Sequence, residues 1–385
     1  MLGLDVRSVI LIAGIMSLLM AVVLFFLRRN YPPSIKGLRE WATAPVILFL
    51  ATLLFGARGA IPDFFSIVIG NLFLLSGAVL LYFGSQQFLG FKPSVKFWAG
   101  VILLALTPLF WFSLVEPHYG IRIGITSGLM AAMSFAHARV ILRHAPRTFS
   151  TYFTATAMLV LALTQTLRFS SAYGLSAADG IFNNFQPEQT AYITVYALAM
   201  LTTTIGMVLM ATDRLRSELE HLATHDSLTG AFNRRALLEA CELELARCRR
   251  NHGIMALLMI DLDHFKAVND THGHPVGDRV LIDFVARVKS LLRQPDRLGR
   301  FGGEEFVALL PETSLDEARV VAERLRATIE SRAEGLPPCT VSIGITVSRP
   351  DDDGLDEIIT RADAALYQAK RAGRNRVESM VQRQQ

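Results

Sequence analysis

Seven stretches of roughly 20 mostly apolar residues fall within the first 211 positions, at about 8–27, 42–60, 64–84, 96–115, 121–142, 150–171 and 190–211. Each is long enough to cross a bilayer core of about 30 Å at 1.5 Å per residue, which predicts an α-helical membrane bundle of about seven spans. The first stretch is too long, and too poor in a small-residue cleavage site, for a removed signal peptide, and is expected to be retained.

The 51% hydrophobic content of the 385 residues is unevenly spread. Up to about residue 211 there are 13 Lys/Arg against 6 Asp/Glu; after it there are 25 against 28. The basic balance therefore belongs to the apolar half. The later half is mildly acidic and has no basic stripe with interleaved aromatics, which argues against nucleic acid as a partner. Cys241, Cys248 and Cys339 lack CxxC or metal-ligand spacing and read as free thiols in a reducing cytoplasm.

Cations follow the first, third, fifth and seventh spans (Arg28, Arg29, Lys36 and Arg39; Lys92 and Lys96; Arg143 and Arg147; Arg214 and Arg216), while the other loops carry mainly Arg58, Arg122 and Arg168. The positive-inside bias then places the N-terminus outside a bacterial inner membrane and the C-terminal half in the cytoplasm. Within the spans Asn71, Gln86, Gln87, His137, Arg139, Gln165 and Arg168 are polar exceptions that should face other helices, either as a ligand pocket or signal relay or as helix-to-helix hydrogen bonding, with Arg139 and Arg168 also placed to snorkel near a span end. The longest outer loop, about Ala172 to Gln189, is a candidate ligand lid. Val208, Thr212, Leu215, Leu219 and Leu222 recur in steps of four and three, a short coiled-coil seam that would continue the last span and join two copies in parallel. The divisions expected are 1–206 (seven-span membrane sensor), 207–224 (helical linker) and 225–385 (catalytic domain).

In the later half, Gly302-Gly303-Glu304-Glu305-Phe306 lies between apolar runs and reads as a β-hairpin carrying carboxylates at its bend, with a Gly-Gly pair suited to the φ > 0 geometry of a tight turn. An apolar run of strand length, Ile254 to Ile260, ends in Asp261-Leu262-Asp263. Alternation along the strand points both acids to one side at its C-terminal end, where a carboxylate pair suits a divalent metal.

The ordered blocks HDSLTGAFNRR, DLDHFKAVND, HGHPVGD, RFGGEEF, SIGIT and ADAALYQAKRAGRNRV, over about His225 to Val377, resemble a GGDEF-type diguanylate cyclase domain. The resemblance implies an α/β nucleotidyl-cyclase-like fold, a mostly antiparallel central sheet flanked by helices, with strands near 254–261, 297–301, 305–310 and 339–347. It implies that Asp261, the backbone carbonyl of Leu262 and Glu304 hold Mg²⁺, with Mn²⁺ as a substitute, against GTP, and that Glu304 also assists deprotonation of the ribose 3′-hydroxyl. Glu305 matches an acidic position of active members. Asn269 and Asp278 would read the guanine edge, Phe265 and Lys266 would line the phosphate loop beside His274, and Lys370 and Arg374 would contact phosphates. The i, i+4 spacing of these last two would put both on one helical face.

Two such domains in antiparallel contact would join two GTP molecules into cyclic di-GMP, which makes an active homodimer the expected state. Arg293 and Asp296, in an RxxD pattern five residues ahead of Gly302, match an inhibitory product site, with Arg324 as a helper. The competing expectations are a catalytically inactive receptor for GTP or cyclic di-GMP, and a transporter or channel with an appended regulator. The intact acid and base-reading positions disfavour the first, and the lack of a clear segment repeat or intramembrane acid pair disfavours the second.

Overall fold

The computed structural model describes residues 6–172, 187–331, 335–350, 352 and 354–380. The chain divides into two compact units, Met1–Ser217 and Glu218–Gln385. Most of the candidate lid, 173–186, lies outside the described residues.

The first unit is helical: α1 (Val6–Asn30), α2 (Leu38–Gly56), α3 (Gly70–Phe88) led in by a π-helical turn at Phe64–Ile69, α4 (Val95–Phe110) prolonged by a second at Trp111–Val115, α5 (Tyr119–His144), α6 (Phe149–Ser171) and α7 (Pro187–Thr224). Among the described residues, six helices are long and apolar enough to cross a membrane. The remaining one, α6, has the length, 23 residues, but Thr151, Thr154, Thr156, Thr164, Gln165, Thr166 and Arg168 dilute its apolar character. Seven spans are therefore not confirmed by composition.

Polarity is inverted relative to a bundle in water. Leu11, Leu19, Leu103 and Leu104 are all at least 60% exposed, while Ser85, Ser127, Thr154 and Gln165 are buried. Apolar side chains turned outward and small polar ones packed inward suit a hydrocarbon surround. Of the polar exceptions, Asn71, His137 and Gln165 are buried, Gln86, Gln87 and Arg168 half-buried, and Arg139 exposed. The Ser85 hydroxyl joins three helices, lying 2.6 Å from His137 Nε2 and accepting from Trp41 Nε1 at 3.2 Å.

Helix α7 is continuous over 38 residues, about 57 Å at 1.5 Å per residue. The expected seam on it is only partly available. Val208 and Leu215 pack against the bundle core and the Thr212 hydroxyl shares a hydrogen bond with that of Tyr31 at 3.1 Å, leaving Leu219 and Leu222 exposed, at 56% and 67%.

The second unit comprises β1 (Phe232–Asn233), α8 (Arg234–Asn251), β2 (Met255–Leu262), α9 (Phe265–His272), α10 (His274–Leu291), β3 (Arg297–Gly302), β4 (Glu305–Pro311), α11 (Leu315–Glu330), β5 (Val341–Val347), α12 (Leu355–Arg371) and β6 (Val377–Ser379). They form one six-stranded sheet in the order β1-β3-β4-β2-β5-β6. The sheet is mixed, which corrects the expectation of a mostly antiparallel one. The inner pairings β3·β4, β4·β2 and β2·β5 are antiparallel, but the short edge strands β1 and β6 run parallel to β3 and β5.

Every residue of the central strand β2 is buried, as period-2 alternation between two covered faces requires. Ala256, Leu258 and Ile260 face a core with Phe284, Phe306 and Leu325, and Met255, Leu257 and Met259 face another with Leu237, Ile358 and Leu366. At Gly344 strand β5 and helix α12 meet backbone to backbone, since a Cβ there would lie 2.2 Å from Leu366 N and 2.3 Å from Ala362 O on α12.

Candidate functional site

Strand β2 delivers Asp261, 6% exposed, to its C-terminal end, in register opposite Glu305 on β4. The bend between β3 and β4 therefore hangs over the strand end, and Leu262 N donates to Glu304 O across it at 3.3 Å. The Gly-Gly pair does not serve as expected, because neither Gly302 nor Gly303 takes a positive φ. A register shift between Arg300 and Gly302 closes the hairpin instead, in the manner of a bulge. What the glycines supply is room: a Cβ on Gly303 would meet nothing within 4 Å.

Arg300, a residue without a role in the sequence analysis, fastens this bend. Its Nε and Nη2 donate to Gly303 O at 2.9 and 2.7 Å, and its Nη1 reaches Asp226 Oδ1 at 3.1 Å. Burial alone would raise the Asp226 carboxyl, but hydrogen bonds from Thr229 and the Arg300 charge hold it below the usual range.

Lys370, from α12, places Nζ 2.8 Å from Asp261 Oδ2. Burial nevertheless leaves the Asp261 carboxyl above its ordinary range, against the opposing pull of Lys370. Glu304 is likewise raised, first by burial and then by the negative charge of Asp261. The negative charge of each acid is thus felt at the strand end where the other stands.

Arg374 does not share a helical face with Lys370. Helix α12 stops at Arg371 in a Schellman turn: Arg374 N donates to Ala369 O at 3.0 Å, and Gly373, Arg374 and Asn375 all have positive φ. The turn still brings the Arg374 charge to Asp261, where it opposes the upward pull of burial on the carboxyl.

Asp261 and Asp263 do lie on one side of the strand, but they do not act as a pair. Both Asp263 oxygens are committed: Oδ1 accepts from Ser342 Oγ at 2.7 Å, and Oδ2 accepts from Thr340 Oγ1 at 2.7 Å and Asn375 N at 3.0 Å. Asp263 anchors the turn bearing Arg374 to the strand end.

Beyond β2, His264 takes a left-handed conformation and opens α9. Phe265 is 6% exposed within the core, so its side chain does not line a phosphate loop and only its backbone can. Lys266 is exposed, as are His274 and Asp278, and α10 begins at His274. Asn269 is half-buried, and its carboxamide lies over Gly277, where a Cβ would come 1.9 Å from Asn269 Oδ1.

The Arg293–Asp296 segment forms a self-closed turn. Arg293 N donates to Asp296 Oδ2 at 2.8 Å, Asp296 N donates to Arg293 O at 3.0 Å, and the Asp296 side chain is 2% exposed. It faces inward here, with Oδ1 lacking a hydrogen-bond partner, rather than outward to a guanine. Arg293 is 59% exposed and donates to Thr313 Oγ1 at 2.9 Å, and Arg324 donates to Leu291 O at 2.8 Å on the neighbouring element. The three cysteines are free thiols. Among the described residues no group of three or more His, Cys, Asp or Glu is arranged to hold a metal.

Two carboxylates, two cations and an open glycine bend stand together at the strand ends of a two-faced α/β sheet. Residues 223–376 match the family model described as "Diguanylate cyclase, GGDEF domain", and this stretch is a GGDEF domain. The chain is 48% identical over 160 residues to diguanylate cyclase DgcP of Pseudomonas aeruginosa, covering 40% of this chain and 24% of that protein. It is 43% identical over 165 residues to diguanylate cyclase DgcM of Escherichia coli, covering 43% and 40%. It thus spans less than half the length of either relative. A crystal structure of the GGDEF domain of DgcB from Caulobacter crescentus in complex with c-di-GMP is 34% identical, covering 41% of this chain and 93% of that one, with a TM-score of 0.39.

Proposed function

We propose that this chain is a membrane-bound diguanylate cyclase, which condenses two GTP into cyclic di-GMP with release of two pyrophosphates, under the control of its N-terminal helices. The observation that carries this reading is the meeting of Asp261, Glu304, Lys370 and Arg374 beside the open Gly303 bend. The relatives' names give the reaction.

The donor set fits a hard divalent cation, in practice Mg²⁺. It offers two mutually repelling carboxylates, with the Leu262 carbonyl as a third oxygen, and Mg²⁺ characteristically takes one or two carboxylates and completes its shell with water and substrate phosphate. When bound, such an ion polarises phosphoryl oxygens and neutralises their charge.

The chain's own groups do the rest. Lys370 exchanges its bond to Asp261 for phosphate oxygens, and Arg374 adds a second positive charge there. Asn269 and Asp278 hold the guanine edge, the carboxylate accepting from N1–H and the 2-amino group, which adenine cannot match. A carboxyl raised in pKa suits Glu304 to accept the proton of the ribose 3′-hydroxyl. The freed 3′-oxygen bonds to the α-phosphorus of the GTP held by a second copy, and the α–β bridging bond breaks as pyrophosphate leaves. A second such step closes the ring. Each domain contributes half of the reacting pair, so the working state is a homodimer. Arg293 and Arg324 serve product inhibition, in which Asp296 takes part by turning outward.

Six apolar helices and an outward apolar surface support a membrane location, with α6 as a seventh span and the GGDEF domain in the cytoplasm. The domain divisions proposed are 1–206, 207–224 and 225–385. Full-length protein in nanodiscs, given GTP and Mg²⁺, is expected to release pyrophosphate, and Glu304→Ala to do so roughly 10² to 10³ times more slowly. Equal rates would remove Glu304 from the mechanism. Nucleotide binding without pyrophosphate release would identify an inactive receptor.

A further inference from the structure

Arg58, Arg122 and Arg168 are three cations outside the positive-inside pattern. In the helical unit all three line one cavity of about 180 Å³. It sits at one end of the bundle, among the C-terminal ends of α2 and α6 and the N-terminal ends of α5 and α7, the end from which α7 starts.

The charges there are under-compensated. Arg58 Nε has Asp63 Oδ1 at 4.0 Å. Arg168 Nε donates to the amide oxygen of Gln189 at 3.1 Å. Arg122, 8% exposed, has the Tyr119 ring 5.8 Å from its guanidinium carbon. Among the described residues neither Arg122 nor Arg168 has a carboxylate within ion-pair distance.

Three hydroxyls lining the same cavity, those of Ser66, Tyr119 and Tyr196, are buried without a hydrogen-bond partner. The Tyr119 hydroxyl lies against the Arg168 guanidinium, at the limit of hydrogen-bond geometry with it. Buried guanidinium groups and donors left unpaired are costly, and their grouping in one cavity calls for an anionic acceptor. The rest of the wall, including Ile10, Phe55, Ile123 and Ile193, is apolar. A cavity of about 150 Å³ holds benzene, so this one takes an anion with a compact apolar body.

We propose that this cavity is a binding site for a small organic carboxylate, whose oxygens Arg122, Arg168 and Tyr119 hold while its apolar part packs against the isoleucines. Because Ile193 and Tyr196 belong to α7, an occupant touches the first turns of the helix that runs on unbroken to Thr224. The proposal deepens the reading of the helical unit as a sensor and rests on that reading.

The test is equilibrium dialysis of radiolabelled benzoate against the full-length protein in nanodiscs, a binding readout independent of pyrophosphate release. Saturable binding is expected at about millimolar Kd or tighter. Arg122→Gln should weaken it at least about tenfold and Tyr119→Phe, which removes a single oxygen, about threefold or more. Arg28→Gln, on α1 outside the cavity lining, should leave it unchanged. Displacement by decanoate but not by acetate would assign the carboxylate to a membrane-derived fatty acid; displacement by acetate or other short acids would assign it to a free solute. Absence of saturable binding, equal affinity in wild type and both cavity variants, or equally effective displacement by inorganic phosphate would each overturn the proposal. The cyclase reading would stand in every case.

Discussion

Gly277→Ala is the substitution that best separates nucleotide recognition from folding. A Cβ at this position would lie 1.9 Å from Asn269 Oδ1, whereas real Cβ contacts do not fall below about 3.0 Å, so the carboxamide must retreat by about 1.1 Å or rotate away. Its Cγ is already 3.0 Å from the same Cβ, and Phe265 Cζ, 3.2 Å away and set in the core, does not yield. Ala is better than Gly within a helix by about 0.8 to 1.0 kcal/mol, which offsets local crowding, so the thermal midpoint should change little or rise. A hydrogen bond lost to a desolvated base costs about 1 to 3 kcal/mol, or roughly 5- to 150-fold. The expected result is a KM for GTP raised within that range and a smaller preference for GTP over ATP, in a protein that unfolds no earlier than wild type. The assay is initial pyrophosphate release against each nucleotide, with a thermal scan of the same preparations. An unchanged KM and an unchanged GTP/ATP ratio would refute the placement of Asn269 at the base.

Gly344→Ala drives a methyl into the backbone of α12 at Leu366 and Ala362; it should cost about 1 to 3 kcal/mol or more, and an unaltered thermal transition would contradict the close β5–α12 fit. Burial, and then the charge of Glu242, push the Cys241 thiol up to about 12 from an ordinary 9.0. Its thiolate fraction at neutral pH is then about a thousandfold below that of an ordinary thiol, growing tenfold per pH unit up to the pKa, and iodoacetamide labelling at the rate of a free thiol would refute this. Arg293→Ala should relieve inhibition by added cyclic di-GMP while leaving the initial rate unchanged; equal inhibition in both proteins would remove Arg293 from the product site.

Much of the domain was legible because its signals are local. The apolar run into Asp261 and the GGEEF bend announced two central strands and the juncture between them, and β2 and β4 meet there in register. The failures are those of local rules applied where tertiary geometry decides. Spacing alone put Lys370 and Arg374 on one helix, but Gly373 ends α12 between them. The Gly-Gly pair suggested positive φ, but a register shift bent the hairpin. Edge strands of two and three residues are too short for periodicity to register, so the parallel edges went unseen. Arg300 could have been suspected as a cation immediately ahead of an acidic bend. The convergence of Arg58, Arg122 and Arg168 was invisible because they stand more than 40 positions apart in sequence; only their departure from the charge bias hinted at it.

The three bonds to Asp263 have a consequence for anyone mapping this domain by mutation. That one carboxylate ties together the end of β2, the start of β5 through Thr340 and Ser342, and the turn after α12 through Asn375. Loosening it would let the acidic and basic partners of the cluster drift apart together, so a screen for lost turnover would rank Asp263 with the reacting groups although it is no more than the keystone between them.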